Sequence, residues 1–246
     1  MLKKILYFSI FFCAKFMLSQ TSLSGVVEYE SEISVNKLND YLSNKRATLD
    51  KSSLKQYDDI YLSSIKVNST LFFTREECVF KIDKKIKRSK KINYRLIESW
   101  SGGTKTFYSN SKLRLNKIRN CKTLGDCFII SSEFKEWKLT QETKIISGYT
   151  CYKAIRKING RKANKDIFAW YTPEIPVNFG PKGEAGLPGL ILELVLGSIT
   201  FRATKIKLNP KKKIVIQKLE EGIKVTEKEF KILVSKAADK VFGRKN

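Results

Sequence analysis

The stretch that determines the fold is Gly186-Leu187-Pro188-Gly189-Leu190-Ile191-Leu192-Glu193-Leu194-Val195-Leu196, in which a glycine and proline turn runs directly into an apolar segment. Side chains alternate between the two faces of a β-strand, so the even-numbered leucines share one face and Ile191, Glu193 and Val195 share the other. Four of the five prolines fall between Pro173 and Pro188. Proline fixes φ and glycine permits positive φ. The stretch therefore predicts a stiff loop followed by a strand.

Further strands are predicted on both sides of this stretch. Partial alternation predicts an opening strand over residues 25–35, and residues 149–158 and 167–171 flank Asn159-Gly160, which is a hairpin signal. Shorter strand-like segments cover residues 70–74, 78–82, 94–100, 106–108, 112–115, 128–130, 137–139, 144–146, 199–208 and 213–218. The pattern predicts a mainly β (α+β) protein with a single antiparallel curved sheet or half-barrel.

The C-terminal segment has a different pattern. Thr226 and Glu229 have the spacing of a capping box, which marks the start of a helix. Apolar residues then recur at intervals of three and four, at Phe230, Leu233, Val234, Ala237, Ala238 and Val241. We therefore predict a C-terminal amphipathic helix whose apolar stripe packs on the sheet.

The hexapeptide at residues 186–191 spells the signature of the GLPGLI family of exported proteins of Bacteroidota, and the chain resembles that family over about a quarter of its mature length. Further matching residues are Trp137-Lys138-Leu139, Glu142-Thr143-Lys144, Gly148-Tyr149, Cys151, Lys153-Ala154, Ala169-Trp170-Tyr171-Thr172, Glu174-Ile175-Pro176, Gly180-Pro181 and Glu193. The resemblance implies a mainly β fold and a periplasmic or outer-membrane location. It implies no particular activity.

The first 19 residues have the pattern of a secretory signal peptide. Lys3 and Lys4 precede a short apolar run, which is too short to span a bilayer, and a small residue stands at Ser19. We therefore predict a signal peptide over residues 1–19 and a single β-rich domain over residues 20–246, because no linker-like tract divides the remainder.

Removal of that segment would leave four cysteines in an oxidising compartment, which predicts two disulfides. Four cysteines allow three pairings. Cys121 and Cys127 flank a short turn-like segment, so we pair them, and Cys78 would then pair with Cys151.

The composition excludes several functional classes. The chain has no histidine, which excludes a histidine general base and any metal site that requires imidazole. Its net charge of +24 favours polyanionic partners. Export argues against nucleic acid and leaves peripheral contact with an anionic membrane surface open, but lysines that only keep a β-rich surface soluble are the favoured explanation of the charge. We predict no metal and no cofactor.

The favoured hypothesis is a non-enzymatic envelope protein that binds an apolar or anionic amphipathic ligand. Its candidate contact residues are Trp170, Tyr171, Gly186, Leu187, Pro188 and Glu193. The alternative is a protein-interaction module of an envelope complex, with the glycine and proline loop as its docking surface. Catalysis stays open but is not indicated, because no spacing of carboxylates marks an acid–base pair.

Overall fold

The computed structural model describes residues 23–62, 65–83, 92–158 and 165–243. The predicted signal peptide and the Asn159-Gly160 turn lie outside these residues. The strands of the described residues are β1 Gly25–Ile33, β2 Val67–Phe73, β3 Glu77–Ile82, β4 Thr106–Asn110, β5 Leu115–Asn120, β6 Phe128–Glu133, β7 Lys138–Ile146, β8 Tyr149–Ile158, β9 Lys165–Thr172, β10 Leu190–Leu196, β11 Ile199–Leu208 and β12 Ile223–Thr226. The α-helices are α1 Val35–Asp40, α2 Lys51–Tyr61, α3 Ile92–Ser101 and α4 Glu227–Phe242.

Within the described ranges, the twelve strands form one sheet in the order β12-β6-β5-β4-β3-β2-β1-β11-β10-β9-β8-β7. The pairs are antiparallel, except that β12 lies parallel to β6. The sheet is curved. Ser147 in the turn between β7 and β8 donates a hydrogen bond of 3.0 Å to the carbonyl of Ala203 in β11, although β11 and β7 are four places apart in the strand order, and a flat sheet would hold these two residues far apart. The mainly β fold with a curved sheet and a C-terminal helix is confirmed.

One face of the sheet, which we call the inner face, carries most of the core. A row of paired residues crosses this face from Phe80 through Phe107 and Ile118 to Ile130. Phe80 also contacts the ring of Phe201 in β11, with 5.9 Å between the ring centroids. These aromatic and branched side chains bury large apolar areas, which is the main source of stability.

Three segments predicted as strands differ in the structure. Of residues 112–115 only Leu115 belongs to a strand, because residues 111–114 form the turn before β5, in which Arg114 has a φ of 49°. Residues 94–100 lie in α3, whose Tyr94 and Ile97 are buried three residues apart, as on one side of a helix. A short apolar run does not distinguish the two periodicities, which is why this prediction was wrong. Residues 213–218 have no regular structure, and Ile216 packs instead with Leu219 against Ile129 on the outer face.

The predicted C-terminal helix is α4, and its capping box between Thr226 and Glu229 is present. The ring of Phe230 packs edge-on against Phe128 of β6, with 5.3 Å between the centroids. Leu233 and Val241 are exposed, by 38% and 76%. Only part of the predicted apolar stripe therefore packs on the sheet.

The structure confirms one predicted disulfide and contradicts the other. Cys121 and Cys127 are bonded across the turn between β5 and β6. Cys78 and Cys151 are free, buried thiols. They lie six strand positions apart on opposite faces of the sheet, so the Cα–Cα distance of less than about 7 Å that a disulfide requires is not met. The prediction was wrong because pairing by elimination takes no account of strand order.

In the part of the chain that the structure describes, we find no helix with the length and apolarity that crossing a bilayer demands.

Candidate functional site

The glycine and proline loop between β9 and β10 lies across the inner face of the sheet. Its backbone is tied to the start of β10, where Leu190 N–H donates to Ile175 and Ile191 N–H donates to Phe179, at 3.1 and 2.9 Å. A Cβ atom at Gly189 would lie 2.2 Å from the carbonyl oxygen of Thr172, so this position requires glycine. The buried side chains of the loop are Ile175, Val177, Phe179, Ala185 and Leu187. The loop therefore fills the centre of the inner face with its own side chains.

The six predicted contact residues do not form one site. Trp170 and Tyr171 are consecutive in β9 and point to opposite faces of the sheet. Leu187 is 1% exposed within the main core, whereas Pro188 is exposed. Leu187 and Pro188 line an open depression of about 520 Å³. Gly186, Trp170, Tyr171 and Glu193 are not among the residues that line it.

Gly186 has a φ of 99° and lies beside Phe134, so its position depends on a conformation that other residues rarely adopt. It stands next to Ala185, whose carbonyl accepts a hydrogen bond of 3.0 Å from the indole of Trp137. The place of Gly186 in the structure is a turn inside the packed loop.

Glu193 and Trp170 are brought together on the outer face by Lys144. The ammonium group of Lys144 donates a hydrogen bond of 2.6 Å to Glu193 and lies 4.2 Å from the centre of the Trp170 ring. Arg202 donates to the second carboxylate oxygen of Glu193, at 2.9 Å. Glu193 is only 5% exposed. Two cations therefore neutralise this buried carboxylate and link β7, β10 and β11.

A cavity of about 330 Å³ lies between the inner face of β4–β6, the loop and α4. We call it the α4 cavity. Its apolar lining comes from Phe107, Ile118, Ile130 and Phe230. This volume is at the lower end of the range of about 300–1,000 Å³ that ligand pockets occupy. A second, more open depression of about 770 Å³ shares Ser132, Glu227 and Lys231 with it.

The rim of the α4 cavity is mainly cationic. Lys105, Lys135, Lys182 and Lys231 all line it. Glu227 pairs with Lys231 and Lys135, at 2.7 and 3.4 Å, and the hydrogen bond from Lys231 is the main reason that the pKa of Glu227 is lowered. Glu227 thus offsets part of the charge of Lys135 and Lys231, whereas Lys105 and Lys182 are not paired with it.

Lys182 is the most enclosed of these lysines. It has a φ of 56° in the short 3₁₀ turn Pro181–Gly183, and its ammonium group donates a hydrogen bond of 2.8 Å to the carbonyl of Trp100. Enclosure, followed by the charge of Lys105, lowers the pKa of Lys182 to about 8. Burial disfavours the charged form of an amine, so an anion beside this group would stabilise it.

Glu184 only partly offsets the lowering of the pKa of Lys182, because its carboxylate forms an ion pair with Arg156 of β8. The guanidinium group of Arg156 also lies over the ring of Trp137, 4.9 Å from its centre. Arg156 and Glu184 therefore fix the loop to the sheet beside the α4 cavity. Within the described ranges no cluster of residues could hold a metal ion.

The residues of the α4 cavity are not among the contact residues that the sequence predicts. Phe107, Ile118 and Ile130 come from three strands and form a row only through the strand register. Lys182 lies in the glycine and proline loop, where the sequence predicts ligand contacts, and Phe230 belongs to the predicted apolar stripe of α4. Gly183, Glu184 and Ala185 belong to the same loop.

A family profile described as "Protein of unknown function (Porph_ging)" matches residues 157–193. The matched stretch includes β9, the glycine and proline loop and the first part of β10. It covers a minor part of the chain, so it shows similarity to this family over that stretch. Comparison with curated proteins gives no match.

Two solved structures resemble the fold. The structure of PNGF-II in space group P21 has a TM-score of 0.51 and 17% identity, over 88% of this chain and 34% of that chain. PNGF-II in space group C2 has a TM-score of 0.50 and 15% identity, over 87% of this chain and 33% of that chain. The present chain thus spans about a third of the length of PNGF-II, and identities this low support similarity of fold alone.

Proposed function

We propose that this chain is a non-enzymatic binding protein of the cell envelope and that it holds an apolar or anionic amphipathic ligand in the α4 cavity. The observation that carries the proposal is an apolar floor of Phe107, Ile118 and Ile130 beneath a rim of lysines. Apolar walls with a few charged groups at one end are typical of sites for amphipathic molecules. The apolar part of such a ligand would lie against the floor, and its anionic group would meet the lysines.

The position of the loop also supports this choice of site. The loop fills the centre of the inner face with Phe179, Leu187 and their neighbours, and the α4 cavity lies at the β4–β6 end of that face, beneath α4. The proposed ligand contacts therefore lie at this end of the sheet and not at the centre of the loop. The loop supplies one wall through Lys182, Glu184 and Ala185.

Export is part of the same proposal. The pattern of residues 1–19 and the resemblance to the GLPGLI family support a periplasmic or outer-membrane location. In that compartment, lipids and their anionic derivatives are the abundant amphipathic molecules. The likeness to PNGF-II adds no activity to the proposal.

A protein-interaction module is the second candidate, and exposed apolar side chains of α4 favour it. Ile232, Leu233 and Val241 are exposed by 46%, 38% and 76%. Apolar groups that are exposed along one helix are a common feature of docking surfaces. This candidate uses the solvent side of α4, whereas the ligand-binding candidate uses the cavity beneath it.

Native mass spectrometry on the chain purified from the envelope of its own cells tests the proposal. We expect an additional mass that denaturation releases as an amphipathic molecule. Ser132 lines the α4 cavity, so Ser132→Phe should reduce the loaded fraction by about tenfold, because overfilling a packed site costs about 1–3 kcal/mol. The control is Thr204→Phe, at an exposed position of β11.

The possible outcomes separate the two candidates. An additional mass that both variants retain would place the ligand elsewhere and refute this site. A mass that matches a second polypeptide would favour the interaction module. A bare chain that also fails to bind added dodecanol or dodecyl phosphate would refute the binding function.

A further inference from the structure

Lys105 and Lys182, at one end of the α4 cavity, form no ion pair with a carboxylate of the described residues, although Glu184 contributes a weaker favourable interaction with Lys182 and the charge of Lys105 opposes it. In the described part of the chain, no carboxylate lies within 4.0 Å of the ammonium groups of Lys105 or Lys182. The two carboxylates that line the cavity, Glu184 and Glu227, are paired with other cations. Two like charges near each other in a partly enclosed space repel, so this arrangement favours an anion between them.

The Lys182 ammonium group is held in place. Its hydrogen bond to Trp100 fixes it at the end of α3 and uses one of its three N–H donors. The remaining donors can therefore reach an anion without a large loss of side-chain entropy. Because a fixed cation gives a more selective contact than a mobile surface lysine, this position is suited to a defined head group.

A polar cavity of about 460 Å³ adjoins this end of the α4 cavity, and Lys105 and Asn120 line both spaces. Its walls come from the C-terminal end of α3, the following glycine turn and the loop that the Cys121–Cys127 disulfide closes. Asn120 binds Thr123 through its amide group, at 2.7 Å, which orders that loop. The polar cavity therefore continues from the lysine pair in the direction away from the apolar floor.

The groups that line the polar cavity suit a hydroxyl-rich head group. Ser99, Thr104 and Thr123 offer hydroxyl groups, and Arg95 and Lys122 add positive charge. Hydroxyl groups can donate to and accept from such a lining. An ammonium head group would meet Arg95, Lys105 and Lys122, with Glu98 as the one acidic residue of the lining, and would therefore be disfavoured.

We infer that the ligand of the α4 cavity is a phosphorylated amphipath: its apolar chain lies beneath α4, its phosphate lies between Lys105 and Lys182, and a polyol head group occupies the polar cavity. This inference rests on the proposed function, and it adds the chemical class of the ligand and the place of its phosphate. The order of the three spaces, which are apolar, doubly cationic and polar, matches the order of the three parts of such a molecule.

Four probes with the same twelve-carbon chain test the inference by isothermal titration calorimetry on the mature chain. They are 1-dodecanol, dodecyl phosphate, lauroyl lysophosphatidylinositol and lauroyl lysophosphatidylethanolamine, each used below the concentration at which it forms micelles. We expect dodecyl phosphate to bind about tenfold more tightly than dodecanol, because charge-assisted hydrogen bonds form only with the phosphate. We expect the inositol lipid to bind about tenfold more tightly than the ethanolamine lipid.

Neutralising variants locate the phosphate. Lys182→Gln and Lys105→Gln should each remove most of the gain of dodecyl phosphate over dodecanol and leave the affinity for dodecanol unchanged. The matched control is Lys117→Gln, which removes the same charge from the outer face of β5. Lys122→Gln should weaken binding of the inositol lipid and have little effect on dodecyl phosphate.

The outcomes distinguish this inference from the proposed function. If dodecanol and dodecyl phosphate bind equally well, the phosphate site is refuted and the apolar cavity stands. If Lys117→Gln lowers the phosphate gain as much as Lys182→Gln, the gain reflects net charge and the site is refuted. If the ethanolamine lipid binds as tightly as the inositol lipid, the polyol assignment is wrong. If none of the four probes binds, the proposed function fails as well.

Discussion

Replacement of Leu187 by alanine separates a core role of the glycine and proline loop from a role in ligand contact. The Leu187 side chain is 1% exposed and packs in the main core. Removal of a fully buried leucine side chain loses transfer free energy and leaves a cavity, and such changes cost about 3–5 kcal/mol. A domain of this size unfolds with about 5–15 kcal/mol, so Leu187→Ala should remove a large fraction of the stability.

Urea unfolding followed by tryptophan fluorescence measures the loss of free energy of unfolding, and a thermal melt measures the matching change in melting temperature. At about 2–4 °C per kcal/mol for a chain of this length, a loss of about 4 kcal/mol lowers the melting temperature by about 8–16 °C. The folded fraction of Leu187→Ala should bind dodecyl phosphate as the wild type does, because Leu187 does not line the α4 cavity.

The control is the neighbouring Pro188, which is exposed. Pro188→Ala should change the free energy of unfolding by about 1 kcal/mol or less, mainly through the unfolded chain. If Leu187→Ala costs less than about 1 kcal/mol and abolishes binding, the loop is a contact surface and our reasoning about the core is refuted.

Four further predictions follow from single contacts. Glu193→Gln should lower the free energy of unfolding by about 1–3 kcal/mol in urea titrations, because Lys144 and Arg202 lose their carboxylate partner, and an unchanged free energy of unfolding would argue against the ion pairs. Thr226→Ala should cost about 1 kcal/mol, with faster hydrogen exchange in α4 and not in the sheet. The pKa of Lys182 is about 8 in the folded chain and about 10.4 in the unfolded chain, so the unfolded chain binds more protons between these pH values. The free energy of unfolding of the wild type relative to Lys182→Gln should therefore rise from pH 8 to pH 10.5 in urea titrations, and a constant difference would contradict this. Because Cys78 and Cys151 are free and buried, alkylation without reductant should modify them only after unfolding. A peptide that mass spectrometry shows to contain a Cys78–Cys151 disulfide would contradict this prediction.

The sequence correctly indicated local structure. The apolar run after Gly189, the hairpin of β8 and β9 and the capping box at Thr226 depend on neighbours within a few residues, so alternation and turn chemistry were sufficient to predict them. The Cys121–Cys127 disulfide has the same local character, because the two cysteines are six residues apart.

Local patterns failed where packing at a distance decided the outcome. The segment at residues 94–100 is a helix in which Tyr94 and Ile97 are buried. Its short apolar pattern is compatible with a strand or a helix, so burial in the tertiary structure decided between them. Cys78 and Cys151 are apart because β1, β2 and β9–β11 lie between their strands. Strand order is a long-range property that composition does not specify.

The same distinction applies to the site. The sequence by itself determined that the chain forms a sheet with a glycine and proline loop, a strong positive charge and no histidine chemistry. The tertiary structure alone decided that this loop packs into the core, because Leu187 and Phe179 gain more from burial than from exposure to a ligand. It also decided that Lys105 and Lys182, 77 positions apart in the sequence, meet at one cavity, since folding brings the end of α3 and the loop to the same end of the inner face.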